Sequence, residues 1–147
     1  MQNNSPSLIV GGQHIDERGA LSFFNDFDMA KIKRFYIVEH CNRSVFRAWQ
    51  GHQYEQKWFS VLLGAFQLAI VKPDIWEVPS KQIVPTAYRL SERVHQILHV
   101  PGGYVTGFCA LESNSKMIVF SDKTLEESKL DDFRFDSNYW PRIGDIA

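Results

Sequence analysis

The 147-residue chain is poor in cysteine: Cys41 and Cys109 are its only two. That excludes a disulfide framework, and their spacing does not suit a structural zinc site. Both thiols lie in apolar, strand-like runs and are expected to be buried and free, in keeping with a reducing cytoplasm. A surplus of positive charge is also lacking, with 16 Lys and Arg against 17 Asp and Glu and a formal net charge of −1. Nucleic-acid binding and polybasic membrane attachment both depend on clustered cations, so neither partner is expected. The longest apolar run, around residues 61–71, is broken by Gly64 and Gln67 and is too short to span a bilayer. The opening residues MQNNSPS carry neither the basic nor the apolar segment of a secretory leader, and a cytoplasmic location is the expectation.

Aromatic residues are plentiful: 11 Phe, 5 Tyr and 4 Trp suggest a sheet-rich core or pocket. No linker, repeat or low-complexity tract divides the chain, so residues 1–147 are expected to form one domain. Short β-type runs occupy residues 8–10, 21–24, 34–39, 44–50, 58–63, 66–71, 82–84, 96–100, 104–110 and 117–121, separated by Gly, Pro, Asp and Asn. In the run 66–71, Phe66, Leu68 and Ile70 alternate with Gln67 and Ala69, the period-two pattern of a sheet with unequal faces. Residues 26–31 and 124–129 could each make a helical turn or two, the second opening on Thr124-Leu125-Glu126-Glu127, a capping box. Residues 125–136 read as a solvated acidic segment closing the fold, with Phe133 and Phe135 tucked inward. About ten short strands at this spacing predict an all-β jelly-roll sandwich or barrel of the cupin type.

Four ordered segments carry a resemblance. They are Asp16-Glu17-Arg18-Gly19; Ile32 to Tyr36 followed by Arg47-Ala48-Trp49-Gln50-Gly51-His52; Lys57 seven residues before Gly64; and Leu90-Ser91 running through Leu98, Val100-Pro101, Gly103-Tyr104 and Gly107-Phe108. In these the chain resembles the cupin-type sugar-nucleotide epimerases and isomerases, in particular the dTDP-4-dehydrorhamnose 3,5-epimerases and the dTDP-sugar 3,4-ketoisomerases. The resemblance spans about residues 13–128. It implies a nucleotide-linked 4-keto-6-deoxyhexose as ligand, a role in polysaccharide biosynthesis and a homodimer. The chemistry it implies is removal of a proton next to a ketone, with a cation on the enolate oxygen and an acid to return the proton.

Carried over residue by residue, the resemblance implies that Arg18 contacts nucleotide phosphates, that Arg47 lines the sugar pocket and that Lys57 steadies the keto or enolate oxygen. His52 and Tyr36 match a histidine and a tyrosine of the ketoisomerases, so His52 is the expected base and Tyr36 or Tyr104 the expected acid. Gln50, Tyr104 and Thr106 complete the expected substrate-binding wall. The chain departs from the family pattern at Gln50, Thr106 and Lys123, where the epimerases carry their catalytic histidine, a second histidine and a tyrosine. An amide takes no proton at neutral pH. Arg47 would point away from Gln50 and His52 in an ideal strand, so a bulge is needed to bring it in. Metal-dependent cupins place ligands where this chain has Gln50, His52, Glu55 or Gln56, and Thr106. One histidine and one carboxylate are too few, and neither metal nor cofactor is expected.

Plainer roles stand beside each of these: His52 as a structural histidine, Arg18 as a turn residue, Arg47 in an ion pair, Lys57 capping a strand, Tyr36 and Tyr104 as packing. Two functions therefore remain open. One is an isomerase or epimerase using His52 and a tyrosine. The other is a binding or regulatory module that recognises a nucleotide sugar without turnover.

Overall fold

The computed structural model describes residues 4–142. Strands β1 (Ser7–Val10), β2 (Gly12–Asp16), β3 (Gly19–Phe23), β4 (Arg34–His40), β5 (Phe46–His52) and β6 (Lys57–Leu63) are followed by β7 (Ala65–Val71), β8 (Thr86–Ser91), β9 (Gln96–Val100), β10 (Tyr104–Ala110) and β11 (Ser115–Ser121). A short helix α1 (Leu125–Lys129) and the strand β12 (Phe133–Arg134) complete the order. Two five-stranded sheets result, ordered β1-β9-β6-β11-β4 and β12-β5-β10-β7-β8, and β2 and β3 form a separate hairpin.

The pairings are nested. β7 pairs with its neighbour β8, β6 with β9, β5 with β10 and β4 with β11, all antiparallel. A four-strand-long ribbon folded over in this way alternates between the sheets, which is the jelly-roll arrangement. The architecture is thus an all-β sandwich; neither sheet curls far enough to close a tight barrel.

Alternation along the strands builds the interior. Phe66, Leu68 and Ile70 of β7 are buried against Phe59, Leu98, Met117 and Val119 of the opposing sheet. At the other end Trp49 packs edge-on against Trp140 and Phe46. The apolar rule also fills an outer position: Phe35 and Ile37 of β4 are more than half exposed, because they alternate with the inward Arg34, Tyr36 and Val38.

The bulge that Arg47 requires is present in β5. Gln50 faces Thr106 and Arg47 faces Phe108, so one extra residue sits on the β5 side. Gly107 lies opposite that irregularity. A β-carbon there would stand 2.7 Å from Ala48 Cβ and 3.0 Å from the Trp49 ring, so the strands can approach this closely only over a glycine.

Several expectations change. Residues 82–84 are not a strand; the strand that pairs with β7 is Thr86–Ser91, whose mixed polar sequence hides its alternation because it is an edge. Gly12–Asp16 is also a strand, formed only as half of a hairpin. Residues 26–31 make turns rather than helix. Cys41 is exposed while Cys109 is buried, since Cys41 lies just past the end of β4. The capping box at Thr124 forms as expected, with Thr124 and Glu127 exchanging side-chain and backbone hydrogen bonds. No helix among the described residues is long and apolar enough to cross a membrane.

Leu68 is fully buried between the sheets. Leu68→Ala should destabilise the fold by about 3 kcal/mol through lost burial and the cavity left behind, read from a urea or thermal unfolding curve. A cost below about 1 kcal/mol would mean that this side chain is not part of a packed interior.

Candidate functional site

A cavity of about 590 Å³ opens between the two sheets. Its floor and walls follow from register. Arg34, Ser121 and Lys57 form one row across β4, β11 and β6, and Tyr36, Val119 and Phe59 form the next inward row. From the other sheet β5 contributes Arg47 and Gln50, and β10 contributes Thr106 and Phe108. Ser128 and Lys129 of α1, with Asp132 and Arg134 around β12, close the remaining side.

The wall is strongly cationic. Among the described residues, five Arg and Lys side chains line it (Arg34, Arg47, Lys57, Lys129 and Arg134) against one carboxylate, Asp132. Arg34 pairs with Glu55 at 3.0 Å and Arg134 with Asp132 at 3.0 Å. Among the described residues, Arg47, Lys57 and Lys129 have no carboxylate at ion-pair distance. Lys57 is only 7% exposed. Its ammonium donates to Gln50 Oε1 at 3.3 Å and lies 5.8 Å from the centre of the Tyr36 ring, which also carries the Arg34 guanidinium at 5.4 Å. A ring face and an amide oxygen only partly replace lost hydration, so this cation is left facing the cavity with attraction to spare.

Two buried networks aim these groups. Arg47 Nε donates to His40 Nε2 at 3.0 Å, and the His40 ring stacks on Phe108. Burial, then the Arg47 charge, lowers the His40 pKa, so the ring stays neutral and can accept. The second network centres on Glu55, whose side chain is fully buried. It accepts from Arg34, from Ser121 Oγ at 2.6 Å and from Ser128 Oγ at 2.9 Å. It also stands 3.0 Å from His52 Nδ1.

His52 Nδ1 is 2.5 Å from the Asp131 carbonyl oxygen. A carbonyl only accepts, so Nδ1 carries the hydrogen and Nε2 holds the lone pair. Nε2 is buried without a hydrogen-bond partner among the described residues. Burial, then the Lys57 charge, lowers the His52 pKa, outweighing Glu55 and Asp131.

Beside that histidine, the Asp131 carboxylate accepts from the backbone N–H groups of Gln53, Tyr54 and Glu55 at 2.7, 2.8 and 2.9 Å. This clamp holds the chain after α1 against the β5–β6 loop, and so brings β12 to the edge of β5.

Of the residues singled out in the sequence, Tyr36, Arg47, Gln50, Lys57 and Thr106 line one cavity. His52 lies beneath that wall, not in it, and is tied into the Glu55 network. Arg18 sits on the β2–β3 turn, bonded to Asp16, with its side chain 81% exposed. Tyr104 donates its hydroxyl to the Asn4 carbonyl at 2.9 Å. Neither Arg18 nor Tyr104 lines this cavity or the second cleft of about 460 Å³ around Trp58 and His99. Trp49, Trp58 and Trp76 pack against neighbouring rings, and Trp49 and Trp58 also line the first and second clefts respectively.

Sequence reasoning missed Arg34, Lys129, Asp132 and Arg134, and weighed Glu55 only as a metal-ligand position. Arg34 was detectable, because it stands two residues before Tyr36 in the same strand. The acidic segment was read as solvated, whereas Ser128, Lys129, Asp132 and Arg134 turn toward the cavity while Phe133 and Phe135 pack inward as expected. No group of three or more His, Cys, Asp or Glu side chains among the described residues is arranged to hold a metal ion.

The fold is shared with known enzymes. A 3,4-ketoisomerase from Helicobacter canadensis matches at a TM-score of 0.71 and 12% identity, over 93% of this chain and 96% of that one. The QdtA 3,4-ketoisomerase from Thermoanaerobacterium thermosaccharolyticum, a mutant in complex with TDP-4-keto-6-deoxyglucose, matches at 0.69 and 18%, over 95% and 93%. The dTDP-4-dehydrorhamnose 3,5-epimerase from Bacillus anthracis, with TDP and PPi bound, matches at 0.69 and 19%, over 86% and 76%. At these identities the likeness is one of fold. No family model and no curated protein matches the chain.

The lowered pKa values of His40, His52 and His99 set a pH dependence. Below the ordinary value of 6.5 the unfolded chain binds protons that these folded-state rings do not, so stability falls as pH drops from there toward the folded values. Melting temperature should therefore be flat above about pH 7 and decline between about pH 6.5 and pH 5, ahead of carboxylate titration. A melting temperature that rises over that interval would contradict the neutral, buried state of these rings. Glu55→Ala, which leaves Arg34 and two hydroxyls without their buried acceptor, should cost about 3–5 kcal/mol in the same assay.

Proposed function

We propose that the cavity binds a nucleotide-linked 4-keto-6-deoxy sugar and promotes loss of a proton from the carbon beside the ketone, an isomerase- or epimerase-like activity. The observation that carries this reading is the set of three cavity cations, Arg47, Lys57 and Lys129, without carboxylate partners. Such a set attracts an anion, and a nucleoside diphosphate supplies one. The matched folds of enzymes acting on such sugars, two of them with TDP or a TDP-sugar bound, support the same ligand class.

Lys57 is the electrophile in this reading. Placed on the ketone oxygen, its ammonium stabilises the enolate more than the neutral carbonyl, because the charge on oxygen develops only as the proton leaves. Arg47, oriented by His40, and Arg34, oriented by Glu55, contact the anionic part of the ligand. Tyr36 lines the cavity with its ring against the cations and can return a proton to the enolate. Gln50 and Thr106, directly paired across β5 and β10, offer the sugar hydroxyls one amide and one hydroxyl. Arg18, on its exposed hairpin, reaches phosphate in this reading only if the hairpin lies against a bound ligand or a second copy of the chain.

The second reading, recognition without turnover, is favoured by one observation: His52, the expected base, does not line the cavity. One experiment separates the two. The protein is incubated with TDP-4-keto-6-deoxyglucose in heavy water and the sugar is followed by proton NMR. Deuterium should enter at a carbon adjacent to the ketone, and Lys57→Met should slow entry by about 100-fold or more, the scale of losing one preorganised donor to an oxyanion. Ligand binding without any exchange would leave recognition as the function.

A further inference from the structure

We propose that Asp132 is the base that removes the proton, held at a set distance from the Lys57 electrophile by the amide of Gln50. The inference rests on the enolising function proposed above. Among the side chains lining the cavity, the cationic Arg and Lys heads have no lone pair to offer, and Gln50, Thr106, Ser128 and Tyr36 are neutral groups. Among the described residues that line it, Asp132 is the one carboxylate.

Gln50 joins the two ends of the reaction. Its Oε1 accepts from Lys57 Nζ at 3.3 Å, and its Nε2 donates to Asp132 Oδ1 at 3.0 Å. Only one orientation of the amide serves both, because the reverse would set NH₂ against the ammonium and C=O against the carboxylate. The amide therefore reads the charge on each side and spaces cation and carboxylate by its own length. In this assignment a ketone oxygen rests on Lys57 while the adjacent carbon faces Asp132.

Asp132 is also fixed from behind. Arg134 Nε donates to its two oxygens at 3.0 and 3.2 Å, and the Asp131 clamp fixes the preceding residue. Its side chain keeps 30% exposure and lines the cavity, so a ligand can reach it. Burial raises its pKa, but the hydrogen bonds from Gln50 and Arg134 and the nearby charges prevail, leaving it below the usual value and ionised at neutral pH. His52, in contrast, has Nδ1 on the Asp131 carbonyl and a buried Nε2, and does not line the cavity.

The step balances within the site. The C–H pair of the carbon beside the ketone becomes the C=C bond of the enolate. The carbonyl π pair moves onto the oxygen facing Lys57, and the proton passes to an Asp132 oxygen, where it can exchange with solvent before it is returned to carbon.

Deuterium entry into TDP-4-keto-6-deoxyglucose, measured for the wild type, Asp132→Asn and Asp132→Glu, tests the assignment. TDP-induced thermal stabilisation is measured alongside. Asp132→Asn should slow exchange by about 100-fold or more, the scale of losing a positioned base, with the TDP stabilisation retained. Asp132→Glu should recover measurable exchange. The wild-type exchange rate should stay level from neutrality down to the carboxylate range and fall only there, with a single protonation. Exchange in Asp132→Asn within about threefold of the wild type would overturn the assignment alone and leave Lys57 its role. A wild-type rate that already falls between neutrality and the carboxylate range, where a histidine rather than a carboxylate takes up a proton, would overturn it too, even if the variants do not fold. Absence of exchange in the wild type would overturn both this assignment and the enolising function.

Discussion

An ammonium group is kept almost out of water between two sheets with no anion beside it. Burying Lys57 in this way is unfavourable by itself, because an amide oxygen at 3.3 Å and an aromatic face at 5.8 Å do not restore its hydration. The sandwich tolerates it because the jelly-roll interior around it, from Phe59 to Met117 and Leu98, is well packed. The surroundings then add to the cation rather than cancel it. The β5 bulge turns Arg47 to the same side, and β4 sets Arg34 in the same row. A cavity with this charge distribution is unfavourable when empty of anions and improved by one.

Keeping such a cavity open on one side and closed on the other falls to two carboxylates. Glu55 gathers Arg34, Ser121, Ser128 and His52, and Asp131 gathers three successive backbone N–H groups. Together they staple α1 and β12 to the β5–β6 loop. His52 is explained by this staple: its neutral ring, donating from Nδ1, is a member of the network. Removing water-exposed surface from these charges is costly, and it is repaid in shape, since every member has a partner that fixes its direction.

Much of the fold was legible because strand periodicity is written locally. The alternation of Phe66, Leu68 and Ile70, the Gly64 hairpin and the Thr124 capping box all follow from neighbouring residues. Gly107 inside a strand was an available sign of the bulge that Arg47 needed. Strand β8 escaped because an edge strand with a solvated face need not alternate cleanly. In the site, Tyr36, Arg47, Gln50, Lys57 and Thr106, which line the cavity, were singled out through the family resemblance, while Asp132 and Arg134 were not. Their place depends on Asp131 reaching across 76 to 78 residues to a loop backbone, a contact with no local signature. The same contact explains why the place of His52 in the Glu55 network was not legible: the segment that satisfies its Nδ1 is remote in sequence.

The claim that the unpaired cations exist to hold a phosphorylated ligand is tested most directly by calorimetric titration of TDP and of thymidine into the protein, with Arg47→Ala as a comparison. The account predicts that TDP binds, that thymidine at equal concentration does not, and that loss of Arg47 weakens TDP by about tenfold or more, the scale of a charge-assisted hydrogen bond. Equal heats for nucleotide and nucleoside, or TDP binding indifferent to Arg47, would contradict it.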